Sequence, residues 1–222
     1  ARAMAMRWRC PPEKAWGKRR RCSRFSRHLA AISRTRASVS SRVRVSPDGK
    51  RISWLAPKDG VSNLWVAKAS SPDAAEAVTD DKGRGIFSYA WAPDGKQLLY
   101  VQDAAGDENW RLYGVNLKTK KVRAFTPEGK VRASITHISS SNKKEILVSH
   151  NARDPQYFDV FKLNLKSGKL KLVEENKEFI GFVADDKLKV KLASKQNPDG
   201  STEVFKKKGK KWVSFIKVAY ED

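Results

Sequence analysis

Cysteine is nearly missing from this chain. Cys10 and Cys22 are the only two in 222 residues, and nothing beyond residue 40 carries a thiol. Disulfides therefore do not staple the bulk of the chain, and two thiols without a nearby His pair do not make a zinc site. That usage fits a reducing compartment without excluding an oxidising one. The expectation is a cytoplasmic protein, with a periplasmic or organellar location as the alternative should residues 1–40 be a transit segment. Long apolar runs are also missing. None approaches the roughly 18–20 residues that span a bilayer, and no charged n-region leads into an apolar stretch of the secretory type. The reading is against a membrane partner. No segment keeps an apolar period of 3.6 long enough for a long helix. There is no Gly-x-Ser-x-Gly elbow. His28, His137 and His150 are the only histidines.

Acid is scarce in one place. Residues 1–40 hold 12 Lys+Arg against Glu13 alone, which is +11 of the net +22. Like charges repel and no apolar period is visible, so residues 1–42 read as a disordered basic tail. A transit peptide, a basic arm for nucleic acid, and a stretch that is not native coding sequence in frame all remain open for it. The start at Ala1 rather than Met suggests a missing true start.

From residue 43 to 222 the texture is regular. Ser46-Pro47-Asp48-Gly49-Lys50 and Ala92-Pro93-Asp94-Gly95-Lys96 are the same turn, 46 residues apart. Proline presets φ at its position and glycine accepts φ > 0 without steric cost. Each turn joins two β-prone runs, such as Arg42–Val45 with Arg51–Ala56, and Ile86–Trp91 with Gln97–Val101. The turn decays downstream but the spacing holds, at Ser140 and Asp185, 48 and 45 residues further on. A period of roughly 40–50 residues with four strands each is the pattern of a β-propeller. The expected fold is all-β: a partial propeller of about four blades, each of four antiparallel strands. No extra strand is visible to close the ring, so the chain reads as cut short, with blade faces left open and a tendency to aggregate.

Candidate chemistry is thin. The Pro-Asp-Gly turns lack the glycine spacing and following helix of a phosphate loop, and Asp48 and Asp94 read as turn caps. Asp107-Glu108-Asn109 offers oxygen ligands, but calcium needs six or more and no spaced Asp/Asn loop supplies them. The three residues read as a solvated loop. His137 and His150 fall on neighbouring strands of one blade, without the nucleophile and acid of a triad. His150 to Pro155 reads as a strand end running into a loop. Lys206-Lys207-Lys208-Gly209-Lys210-Lys211 is the densest charge run. It reads as a hairpin turn whose edge lysines discourage sheet-to-sheet pairing, with Trp212 in the core, rather than as a nucleic-acid surface. The residues thus nominate no catalytic, metal or cofactor-binding residue, and leave substrate-binding residues unknown.

Several stretches resemble one family. Ser46 to Pro57, followed by Asn63-Leu64-Trp65-Val66, is similar to the first propeller blade of prolyl oligopeptidase-family serine peptidases, in their acylaminoacyl-peptidase and dipeptidyl-aminopeptidase-like branch. Gly106-Asp107-Glu108-Asn109-Trp110-Arg111-Leu112-Tyr113 resembles the second-blade loop and strand. Arg153-Asp154-Pro155-Gln156-Tyr157-Phe158-Asp159-Val160-Phe161, through Glu174-Glu175-Asn176, resembles the third. Asn197-Pro198-Asp199-Gly200-Ser201-Thr202-Glu203-Val204 fits the fourth. Periplasmic TolB-like propellers share the Pro-Asp-Gly turns. The resemblance implies a parent that hydrolyses short peptides through a serine, with no metal or organic cofactor. It also implies a partner, a C-terminal α/β-hydrolase domain that carries the serine, acid and histidine, over which the propeller restricts access. No position here matches a catalytic residue of that family, so the chain alone is expected to be inert. The alternative is a stand-alone propeller scaffold for protein interaction.

Overall fold

The computed structural model describes residues 41–104 and 106–221. Of the basic tail expected over residues 1–42, residues 1–40 lie outside the described residues, and Ser41 and Arg42 belong instead to the first strand, paired with the strand after the turn. Every described element is a strand, and sixteen strands form four antiparallel sheets, each a meander in chain order. The first sheet holds β1 (Ser41–Val45), β2 (Arg51–Lys58), β3 (Val61–Lys68) and β4 (Ser71–Ala77). The second holds β5 (Tyr89–Trp91), β6 (Gln97–Gln102), β7 (Arg111–Asn116) and β8 (Val122–Ala124). The third holds β9 (Ala133–His137), β10 (Glu145–Asp154), β11 (Tyr157–Asn164) and β12 (Leu170–Glu174). The fourth holds β13 (Gly181–Ala184), β14 (Val190–Gln196), β15 (Thr202–Lys208) and β16 (Lys211–Val218). These are the four expected blades.

The turns form as their residues dictate. Gly49 and Gly95 take φ of 71° and 66°. Asp48 accepts from the Ser46 hydroxyl and the Lys50 amide, and Asp94 from the Lys96 amide. Asn142 and Asp185 hold the two later turns in the same way, accepting from the amides of Lys144 and Lys187. The side-chain oxygen two residues before the amide is what survives when proline and glycine are lost.

Alternation places consecutive residues on opposite faces of a strand. In the middle blades both faces are buried, so the apolar runs are continuous. Leu98 packs with Leu55, Leu64 and Val66 of the first blade. Its neighbour Leu99 packs with Ile146, Val148 and Leu163 of the third. Leu147 turns the other way, toward Leu188 and Val190 of the fourth. Leu98, Leu99, Leu147 and Val148 are all fully buried. Burying one such side chain contributes about 1.5–3 kcal/mol, so the blades hold one another by apolar contact. The fourth blade differs on its far side, where Val183, Val213, Phe215 and Ile216 are between 41% and 58% exposed.

Several boundaries moved. The first strand of the second blade is only Tyr89–Trp91, because the Ile86 amide bonds the Ser62 carbonyl instead of a sheet neighbour. The segment from His150 to Pro155 is the expected strand end, and it runs further than a simple end would: β10 continues past a bulge to pair Asp154 with Tyr157, and the turn begins at Pro155. The lysine run is also mostly strand. Lys206, Lys207 and Lys208 end β15 and Lys211 begins β16, leaving Gly209 and Lys210 as the turn. β-Branched and aromatic partners across the sheet override the charge here.

Candidate functional site

The loop between β6 and β7 is built around Asp103, whose side chain is fully buried. One carboxylate oxygen accepts from Arg84 Nη1 and from the Glu108 amide, while the other is buried without a partner. The Arg84 guanidinium lies against two rings, 5.7 Å from the centre of Phe87 and 5.4 Å from that of Trp110. Such contacts contribute roughly 0.5–1 kcal/mol at exposed sites. Asp107 folds back on the loop and accepts from the Asn109 side chain and from the Asn109 and Ala104 amides. Those bonds, Asn109 first, hold its carboxyl below the usual range. Glu108 sits at φ 57° with its carboxylate 3.7 Å from Arg132. The loop's acids are thus engaged by their own backbone and by arginines. Among the described residues no group of three or more His, Cys, Asp and Glu gathers as metal ligands would.

The third blade carries a second buried acid. Asp159, on β11, has a side chain only 3% exposed. Arg153 reaches it with two nitrogens, at 2.8 and 2.9 Å, and also bonds the Asn176 carbonyl. The Asn176 amide donates back to Asp159 at 2.7 Å. Burial pushes the Asp159 carboxyl up, but Arg153 and the Asn176 amide outweigh it and the net shift is down. The Asn176 side chain closes the following turn on Phe179. One arginine therefore ties β10, β11 and the passage into the fourth blade together.

The structure places both described histidines on neighbouring strands but builds no triad from them. His150 on β10 stacks on Phe161, with centroids 4.0 Å apart, and burial lowers its pKa. Its Nδ1 accepts from the Ala152 amide at 3.4 Å. His137 on β9 lies 3.8 Å from Asp186. Among the described residues neither ring is bonded to a serine hydroxyl. Lys207 pairs with Glu174, which also accepts from the Trp212 indole, so part of the lysine run latches the fourth blade to the third.

Arg84, Asp103, Asp159 and Asn176 were not nominated by the sequence reading, and neither were Thr79 and Thr126. The two threonine hydroxyls accept from the amides of Leu64 and Leu112, closing the end of their blades' outer strands. Their 47-residue spacing, just past Val78 and Phe125, was the available signal. Asp103 gave none, being one acid in a polar loop, whereas Asp159 stands alone among Tyr157, Phe158, Val160 and Phe161, and that apolar setting was the available signal.

The chain is 40% identical over 184 residues to dipeptidyl aminopeptidase BIII from Pseudoxanthomonas mexicana. It is a homologue of a dipeptidyl aminopeptidase. That alignment covers 82% of this chain and 27% of the relative. Among solved structures, the β-propeller domain of the trilobed protease from Pyrococcus furiosus has a TM-score of 0.54 at 20% identity, covering 79% of this chain and 56% of that one. A putative TolB from Agrobacterium tumefaciens has a TM-score of 0.53 at 13% identity, covering 82% and 67%. At such identities these two show the propeller fold and no more. No protein-family model matches the chain.

Proposed function

We propose that this chain is the non-catalytic propeller portion of a serine peptidase that acts on short peptides. In this reading it gates access to a hydrolase domain carried elsewhere in a longer polypeptide. The observation that carries the reading is the 40% identity to dipeptidyl aminopeptidase BIII. The match extends over 82% of the chain. The 222 residues contain no nucleophile elbow, so the chain itself contributes shape and contact rather than bond cleavage. The test is hydrolysis of a chromogenic dipeptide amide by the native gene product and by residues 41–222 alone. The native product is expected to release dipeptide in a manner blocked by a serine-directed reagent, and the isolated residues to release none. No hydrolysis by the native product would overturn the reading.

The second reading is a stand-alone scaffold for protein interaction, since the propeller fold, which TolB shares across 82% of this chain, does not by itself require a hydrolase domain. It requires a native product that binds a protein partner and cleaves no peptide.

A further inference from the structure

The innermost strands of the third and fourth blades, β9 and β13, are the terminal strands of their sheets. Each therefore has one edge whose backbone N–H and C=O groups find no partner within the sheet. Between them lies a cleft of about 380 Å³. Its apolar walls are Ile135, Phe158, Ile180 and Phe182. Ile180 is 67% exposed, the most exposed of the large aliphatic residues among those described. Its polar side is a pair of hydroxyls, Ser134 and Ser149, 3.0 Å apart on directly opposed residues of β9 and β10. Thr136 also lines the cleft, and its buried hydroxyl has no hydrogen-bond partner. Gly181 leaves the first peptide group of β13 without a side chain over it.

We propose that this cleft binds an extended peptide, seating one apolar side chain between Ile135, Phe158, Ile180 and Phe182. The open edge of β13 and the exposed Ser134 hydroxyl bond the peptide's backbone. A strand edge bonds extended backbone of any sequence, and the pocket beside it chooses the side chain. The volume lies at the low end for a ligand site, which suits one large aliphatic side chain with its flanking peptide groups and not a folded partner. No cationic or anionic side chain lines the cleft, so a charged side chain entering it loses water without gaining an ion partner. The preference is therefore for Leu or Ile over Asp or Lys. The assignment rests on the peptidase reading for the origin of the peptide, but the chemistry of the cleft stands on its own.

The experiment is saturation-transfer NMR on the chain with the probes Gly-Leu-Gly-Gly and Gly-Asp-Gly-Gly. The leucine peptide is expected to bind with a dissociation constant of about 1 mM. The aspartate peptide is expected to bind at least about tenfold more weakly, the factor carried by one seated aliphatic side chain. Ile180→Asp should remove the leucine preference while leaving the melting midpoint unchanged, because this side chain is mostly exposed. N-methylation of the leucine amide should weaken binding if the strand edge is used. Equal binding of the two peptides, no detectable binding of either, or an unaltered preference in Ile180→Asp would each overturn the assignment. Hydrolysis by the native product separates the two proposals. If it cleaves peptides and Ile180→Asp leaves KM for apolar substrates unchanged, the cleft falls and the peptidase reading stands. If it cleaves none, the peptidase reading falls while the binding data still judge the cleft.

Discussion

Removing the charge of Asp159 tests how the third blade is held. In Asp159→Asn the shape is kept and the amide oxygen still accepts from Asn176, but the two bonds from Arg153 lose their ionic partner. A buried pair broken on one side costs about 3–5 kcal/mol, whereas an exposed pair is worth about 0–1 kcal/mol. The Asp159 side chain is 3% exposed and Arg153 is 42% exposed. In Asp159→Asn the orphaned partner is the arginine, which turns out to water, so the cost falls between those limits, at about 2 kcal/mol. In Arg153→Ala the orphan is the buried carboxylate, which has no such escape, and the cost approaches 3–5 kcal/mol. For a chain of this size that is a fall in melting midpoint of about 4–8 °C for the first and more for the second. The pH dependence has a defined sign. The Asp159 carboxyl is shifted below 3.8 in the folded state, so its contribution is present above that value and is lost as pH falls through the folded value. Asp159→Asn should flatten this acid limb. Thermal melts by circular dichroism between pH 3 and 8 provide the assay. An Arg153→Ala variant as stable as Asp159→Asn, or an acid limb unchanged in Asp159→Asn, would refute the clamp.

Other consequences can be read in the same melts. Arg123 lies over Gly168 and bonds the carbonyls of Lys166 and Ser167, and Gly168 sits at φ 72°. Gly168→Ala should therefore cost about 1–2 kcal/mol from the left-handed backbone and the displaced arginine, and less in an Arg123→Ala background, by a double-mutant cycle. His150 is kept neutral by burial, with its pKa below 6.5 in the folded state. Its contribution is present above pH 6.5 and lost as pH falls from there to the folded value, and His150→Gln should remove that dependence. Phe215 and Val213 stand 56% and 41% exposed on the fourth blade. Replacing both with lysine should reduce dye binding to apolar surface and light scattering, with the melting midpoint nearly unchanged.

The blades were legible because their signals are local. Pro47-Asp48-Gly49 and its counterpart at Pro93 state a turn in three residues, and the repeat spacing then locates the decayed turns at Asn142 and Asp185. The family resemblance was legible for the same reason, since Asp107-Glu108-Asn109-Trp110 and Arg153-Asp154-Pro155 are contiguous. What stayed hidden depends on contacts between distant residues. Asp103 looks like any loop acid until Arg84, nineteen positions earlier, is folded against it. Asp159 is a lone acid among Tyr157, Phe158, Val160 and Phe161, and its partners Arg153 and Asn176 are identified only by the fold. The strand end from His150 was legible, but its continuation to Asp154 was not, because the bulge that carries it to the turn at Pro155 depends on the pairing with β11. The cleft between β9 and β13 belongs to no single segment, and only the packing of two blades creates it.

The most direct test is the intact mass of the native gene product, measured with its hydrolysis of a dipeptide amide. The chain has a mass of 25.0 kDa and spans 27% of the dipeptidyl aminopeptidase it matches. The account predicts a product roughly three times heavier than this chain, holding further domains, that releases dipeptide. A native product of 25.0 kDa that cleaves no peptide would contradict it and give the lead to the scaffold.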